Sequence, residues 1–357
     1  MGVTSHLRQV VAGVATFEYE MLTWRMPAAV ATSALGLMIV CVWSGHSAQA
    51  VPVGIAAFFV PLATTAERLP RRILTQLWVL AWVMLGTLTG GLLSSDATLV
   101  TTVGVLVAGA FGFGCGFAGG AGPNARLAGV LTLVAFAIFM GAPDTPVGAF
   151  ESCALLGLGG VIQIVVIALV GVRVATSRAG EPASAGPGVV RRLRERLTTR
   201  DDFVRHGTRL ALSFMVATII GQWLSWPHEY WIPMTVAWVS LPDATGTATR
   251  VASRMLGTLI GIAVVAVVLG RSPVSQYEVA VAISVGVFVV VAFFRAQYAV
   301  AVVGVTVLAA SLLSLAGESL GVTEIFRLID TLIAAVLTVA FSFFWRSIPA
   351  EIASESA

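Results

Sequence analysis

The sequence predicts an all-α membrane protein of about twelve transmembrane helices, set as two parallel six-helix repeats. Three observations carry this. Of the 357 residues 57% are hydrophobic and only 11% are charged, against roughly 25% charged in an ordinary soluble domain. Apolar runs of the ~20 residues that a spanning helix needs recur along the whole chain. A proline-bounded motif of eleven residues occurs once in each half.

Ten segments meet the length standard, near 27–44, 74–94, 97–118, 125–142, 149–171, 207–225, 252–270, 278–294, 297–316 and 325–345. Two weaker ones, near 48–64 and 229–247, are interrupted by proline. The expected organisation is a cytoplasmic N-terminus (1–26), a first six-helix repeat (27–172), a basic linker (173–205), a second repeat (206–346) and a cytoplasmic tail (347–357). No early segment joins a basic start to a short apolar run and a small-residue cleavage site. The first spanning segment is therefore expected to act as the insertion signal.

All 21 basic residues are arginine. With the N-terminus inside, the even-numbered loops face the cytoplasm, and only Arg271 and Arg327 of the 21 arginines fall outside. Basic loops stay on the cytoplasmic side, so both termini are expected there. The linker, which includes VVRRLRERL, reads as an orientation-setting basic loop or as a short amphipathic helix on anionic headgroups.

The two halves resemble each other. VPVGIAAFFVP (Val51–Pro61) stands beside IPMTVAWVSLP (Ile232–Pro242), and LGTLTG (Leu85–Gly90) beside LGTLIG (Leu256–Gly261). Thr132 and Thr306 take similar places in the fifth helix of each half. An even number of crossings per half makes the repeats parallel, related by an axis along the membrane normal. Each eleven-residue piece reaches only about 16 Å if helical, roughly half the hydrocarbon thickness. Interrupted segments at matching places in two repeats point to a transport pathway. Pro52, Pro61, Pro233 and Pro242 are its candidate hinges, because proline frees backbone groups that must face protein or water.

The ninth spanning helix is expected to begin near Arg250, with Arg254 one turn inside and on the same face. Guanidinium is permanently charged and grips carboxylate with two parallel hydrogen bonds. Arg250 and Arg254 are therefore candidate contacts for an anion, or else snorkel to the headgroups and fix topology. Thr235, Thr245, Thr247 and Thr258 are candidate hydroxyl donors. Asp243, Asp330 and Glu151 are candidate proton carriers or paired structural acids. His228 reads as a solvated loop residue, and Tyr230 and Trp231 as belt aromatics at the outer surface.

Several chemistries are excluded. Cys41, Cys115 and Cys153 make no CxxC pattern, and the four histidines have no ligand spacing, so no metal or cofactor is expected. Gly114–Gly119 matches GxGxxG, but a nucleotide site needs that motif between a strand and a helix. Nothing clusters His, Asp or Cys for catalysis, so an enzyme is not expected, and nothing suggests a nucleic-acid partner. The implied partners are the lipid bilayer and a small organic anion; the sequence carries no signal for oligomeric state.

HEYWIPMTVAWVSLP, TATRVASRMLGTLIG, YAVAVVGVTVLAASLL and RLIDTLIAAVLTVAFSFFW together resemble the fusaric acid resistance-like (FUSC) family of integral membrane transporter domains, which includes bacterial aromatic acid exporters. The resemblance covers roughly 205–346 and rests on Tyr230-Trp231, Arg254, Gly257-Thr258, Tyr298, Thr306 and Asp330-Thr331. It implies a multi-pass protein of the bacterial inner membrane that moves organic anions outward, aromatic carboxylates being the usual candidates. The larger exporters carry a sizeable cytoplasmic domain between the halves, where this chain has only its linker. The readings that compete with an exporter are a passive anion channel of the same fold and a non-transporting membrane scaffold.

Overall fold

The computed structural model describes residues 3–64, 68–94, 102–142, 145–170, 194, 197, 202–224, 226–271, 274–318 and 320–344. Most of the basic linker, Arg346 and the tail lie outside the described residues. Thirteen α-helices and no strand occur among the described residues. They are α1 (Val3–Ala15), α2 (Arg25–Trp43), α3 (Ala50–Leu62), α4 (Leu69–Ser94), α5 (Val103–Ala118), α6 (Pro123–Met140) and α7 (Pro146–Val170). The second half holds α8 (Asp202–Leu224), α9 (Trp231–Val239), α10 (Ala244–Leu269), α11 (Gln276–Phe293), α12 (Tyr298–Leu315) and α13 (Leu320–Phe344).

Among the described residues nine helices are long and apolar enough to cross a membrane: α2, α4–α7 and α10–α13. Of the other segments expected to cross, α8 begins at Asp202, inside the span assigned to the linker, and opens with Asp202, Arg205, His206 and Arg209. The remaining two are the short helices α3 and α9, of 13 and 9 residues. These reach about 20 and 14 Å, well under the ~30 Å of hydrocarbon.

Both short helices are apolar on every side, and that composition places a helix in the interior. Every residue of α9 is buried, and every residue of α3 except Val51. Pro52 and Pro233 sit in first turns, where a missing N–H costs nothing. The closing prolines act differently. Pro61 lies within the last turn of α3. In the second half the helix stops at Val239 and Ser240 turns extended, with ψ 119°, two residues before Pro242. The expected span 229–247 is therefore two helices with a break, not one kinked crossing.

Asp243 restarts the chain as the N-cap of α10, its carboxylate accepting the Gly246 N–H at 2.5 Å. Thr247 Oγ1 accepts the Leu241 N–H at 3.0 Å, so the break satisfies its own backbone. This start lies earlier than the sequence suggested. Arg250 and Arg254 fall almost two and three turns inside α10, not at its mouth.

The packing pairs the halves. α4 lies on α6 as α10 lies on α12, and α3 on α7 as α9 on α13. Across the halves α2 meets α11 as α8 meets α5, and α3 meets α12 as α9 meets α6. Small residues let backbones approach. Gly86 and Gly90 bring α4 against Thr132 and Phe136; Gly257 and Gly261 bring α10 against Ala299 and Thr306. Thr132 meets the first glycine of its pair and Thr306 the second, so the two threonines sit one turn apart in register, not in matched places. α1 lies outside this arrangement, against α10, where Gly13 faces Thr249.

Candidate functional site

Between the two halves, α3, α6, α9 and α12 line a partly open cavity of about 70 Å³. Its wall includes Phe58 of α3, Trp231 and Trp238 of α9, Tyr230 just before α9, and Leu308 and Leu312 of α12. A single charged residue, Arg327 of α13, lines it. Only 2% of Arg327 is exposed, and its guanidinium lies 5.0 Å from the centre of the Trp231 ring. Neither terminal nitrogen, Nη1 nor Nη2, has a hydrogen-bond partner among the described residues.

Glu324 and Asp330 stand three residues either side of Arg327, which puts all three charges along one side of α13. Both acids are buried, their carboxylate oxygens have no hydrogen-bond partner among the described residues, and both interact electrostatically with Arg327. Sequence reading set Arg327 aside as one of two arginines on the wrong side of the topology. The missed signal was the spacing Glu324-x-x-Arg327-x-x-Asp330 inside an otherwise apolar helix.

The arginines singled out from the sequence lie elsewhere. Arg250 donates to the Trp238 carbonyl at 3.2 Å and sits 4.8 Å from the Tyr298 ring centre. It braces the C-terminal end of α9, where a helix leaves carbonyls free and favours positive charge. Arg209 donates to the carbonyls of Leu241 and Pro242, and Arg295 to those of Leu62 and Thr64 just past α3. Both short helices thus end against guanidinium groups. Arg254 is buried beside Tyr298, with Nε unpartnered, and does not line the cavity.

The threonines divide too. Thr235, Thr247 and Thr258 are buried, Thr247 is used by the break, and Thr258 Oγ1 has no partner among the described residues. Thr245 is half-buried in the first turn of α10. Of the three acids only Asp330 stands near the cavity. Asp243 is an exposed cap, and Glu151 is an exposed residue of α7 that accepts from Gln49 Nε2 at 2.6 Å. Glu151 and Asp330, both candidate proton carriers from the sequence, differ completely in burial.

His228, in the turn before α9, is not a freely solvated loop residue. Its backbone is left-handed, with φ 62°. Its ring stacks on Trp231 at 4.7 Å, and Nε2 meets the Glu318 carboxylate at 2.6 Å. Burial lowers the imidazole pKa, against the pull of the Glu318 carboxylate. Burial also raises the neighbouring Glu229 carboxyl.

Nine membrane-length apolar helices, and no strand, among the described residues define a polytopic membrane protein. Residues 216–341 match the fusaric acid resistance protein-like family. The inner membrane protein YccS of Escherichia coli is 34% identical over 155 residues, or 43% of this chain and 21% of that protein. An uncharacterized protein of Synechocystis is 34% identical over 152 residues, 40% of this chain and 19% of that protein. Another of Neisseria gonorrhoeae is 30% identical over 154 residues, 43% of this chain and 37% of that protein. The chain thus aligns with a fifth to two fifths of the length of these relatives. No solved structure matches it.

Proposed function

We propose that the protein is a transporter of the bacterial inner membrane that exports small organic anions, aromatic carboxylic acids foremost, between two parallel six-helix repeats. The observation that carries this reading is the aromatic-walled cavity between the proline-bounded helices α3 and α9. Short segments at matching places in two repeats mark a transport site, and an apolar cavity with few polar groups suits a small ligand. The family name, which refers to resistance to fusaric acid, an aromatic carboxylic acid, supports the substrate class. The relative named as an inner membrane protein supports the location.

In this reading α3, α8 and α9 complete twelve crossings with both termini in the cytoplasm. Arg254 forms an inner station beside Thr258, with Thr235, Thr245 and Thr247 near the break, and Asp330 carries the coupled proton. Arg250 belongs to the frame, since its donor is already engaged. An apolar cavity of ~150 Å³ holds benzene, so this smaller one must widen to pass an aromatic acid. The breaks at Pro61 and Pro242 are where the short helices can swing.

Flux of radiolabelled benzoate into proteoliposomes, with and without a pH gradient, tests the reading. Uphill accumulation under the gradient is expected. Downhill flux alone identifies a passive channel, and no flux for any of a panel of aromatic and aliphatic acids identifies a non-transporting scaffold.

A further inference from the structure

We infer that Arg327 is the anion-holding group of the cavity between the two halves and that the site selects aromatic monoanions over dianions. The inference rests on the cavity being the station of the transported anion. Arg327 is the single charged residue in its wall, while the rest of that wall is almost wholly apolar and includes Phe58, Trp231 and Trp238.

The guanidinium carbon lies over the Trp231 ring, 5.0 Å from its centre, and the contact is itself attractive. A guanidinium pairs with a carboxylate through its edge, in two parallel hydrogen bonds. Nη1 and Nη2 lie along that edge, buried and without a partner among the described residues. Unpaired buried donors of a charged group are costly, and a carboxylate entering the cavity satisfies both at once. The aromatic wall then receives the ring of the acid.

Selection by charge number follows from what surrounds Arg327. The cavity offers one cation, so a second carboxylate would be desolvated against apolar wall with no partner. Glu324 and Asp330 flank Arg327 on its own helix and interact with it electrostatically, but neither reaches the cavity wall. Arg254 of α10 interacts with Arg327 electrostatically but does not reach the cavity wall.

The test is equilibrium binding of radiolabelled benzoate to the purified full chain in detergent, with terephthalate as the competing dianion of similar shape. Benzoate is expected to bind at least about tenfold more tightly than terephthalate, the scale of one uncompensated charge. Arg327→Gln is expected to lower benzoate affinity at least about 30-fold, as loss of a buried charge partner does. Arg327→Lys keeps the charge without the fork and should fall between the two. Arg271→Gln, an exposed arginine, serves as the unaffected control.

Equal binding of the two acids overturns the inference, and so does benzoate binding retained in Arg327→Gln. Should that variant fail to fold, the comparison of benzoate with terephthalate on the unaltered chain decides alone. Selective binding without flux in proteoliposomes sinks the transport reading and leaves this site standing. Flux without any benzoate binding, or flux indifferent to charge number, sinks the site and leaves transport standing.

Discussion

Arg209, in the second turn of α8, donates to the carbonyl of Pro242 at 3.0 Å while only 8% of its surface is exposed. The contact joins the first helix of the second half to the break between α9 and α10. Carbonyls freed by that break have no helical N–H to take, and Arg209 supplies donors for those of both Leu241 and Pro242. Hydrogen bonds to a charged group contribute about 1.5–3 kcal/mol. Arg209→Gln is therefore expected to destabilise the protein by about 2 kcal/mol, read as a lower melting temperature in detergent. An unchanged melting temperature would mean that water serves the break equally well.

Gly257 and Gly114 give opposite expectations. A Cβ at Gly257 would meet the Ala299 carbonyl and the Val302 side chain, whereas at Gly114 nothing lies within 4 Å. Gly257→Val must push α10 from α12 and should lower stability by about 2 kcal/mol or more. Gly114→Ala should stay within about 0.5 kcal/mol of the original. Thermal melts of the two variants side by side check the pair.

The three acids separate by position. Asp330→Asn is expected to abolish accumulation driven by a pH gradient, since Asp330 is the one acid of the three that is buried near the cavity. Glu151→Gln should leave flux and its pH dependence unchanged, because Glu151 is exposed and bonds to Gln49 at the surface. Asp243→Ala should cost about 1 kcal/mol through the lost N-cap with little effect on flux. Gradient-driven uptake measured for all three variants distinguishes coupling from structure.

His228 predicts an acid sensitivity. Its pKa is lowered in the folded protein, so the unfolded chain takes up the proton first as pH falls. Stability contributed by the neutral ring is present above about pH 6.5, the ordinary imidazole value, and declines as pH drops toward the folded value. His228→Gln should flatten the fall in melting temperature between pH 7 and pH 5. An equally steep fall in the variant would assign that sensitivity to other groups.

Orientation is open to chemical labelling. In a background with Cys41, Cys115 and Cys153 replaced, a cysteine at Arg271 should react with a membrane-impermeant thiol reagent in intact cells. One at Arg205 should react only after permeabilisation. The reverse pattern would turn the whole topology over.

The membrane class, most of the long helices and the two proline-bounded pieces were legible in the sequence. Each depends on local composition and period, and a run of apolar residues reads the same in any fold. The resemblance to the family was legible for a similar reason, since contiguous motifs such as YWIP and LGTLIG carry it. The site was not. Arg250 looked like a free cation because its acceptor, the Trp238 carbonyl, lies across a chain break that only the folded backbone positions. Glu151 and Asp330 looked equivalent because depth in a bundle is set by neighbouring helices, not by place within a helix. Arg327 looked like a topological exception until α13 packed against α9 and laid its guanidinium over Trp231. Hydrophobicity decides from the sequence alone which segments leave water. Which charge then faces the cavity, and which is spent on a backbone carbonyl, depends on contacts between residues far apart in the chain, and those exist only in the tertiary structure.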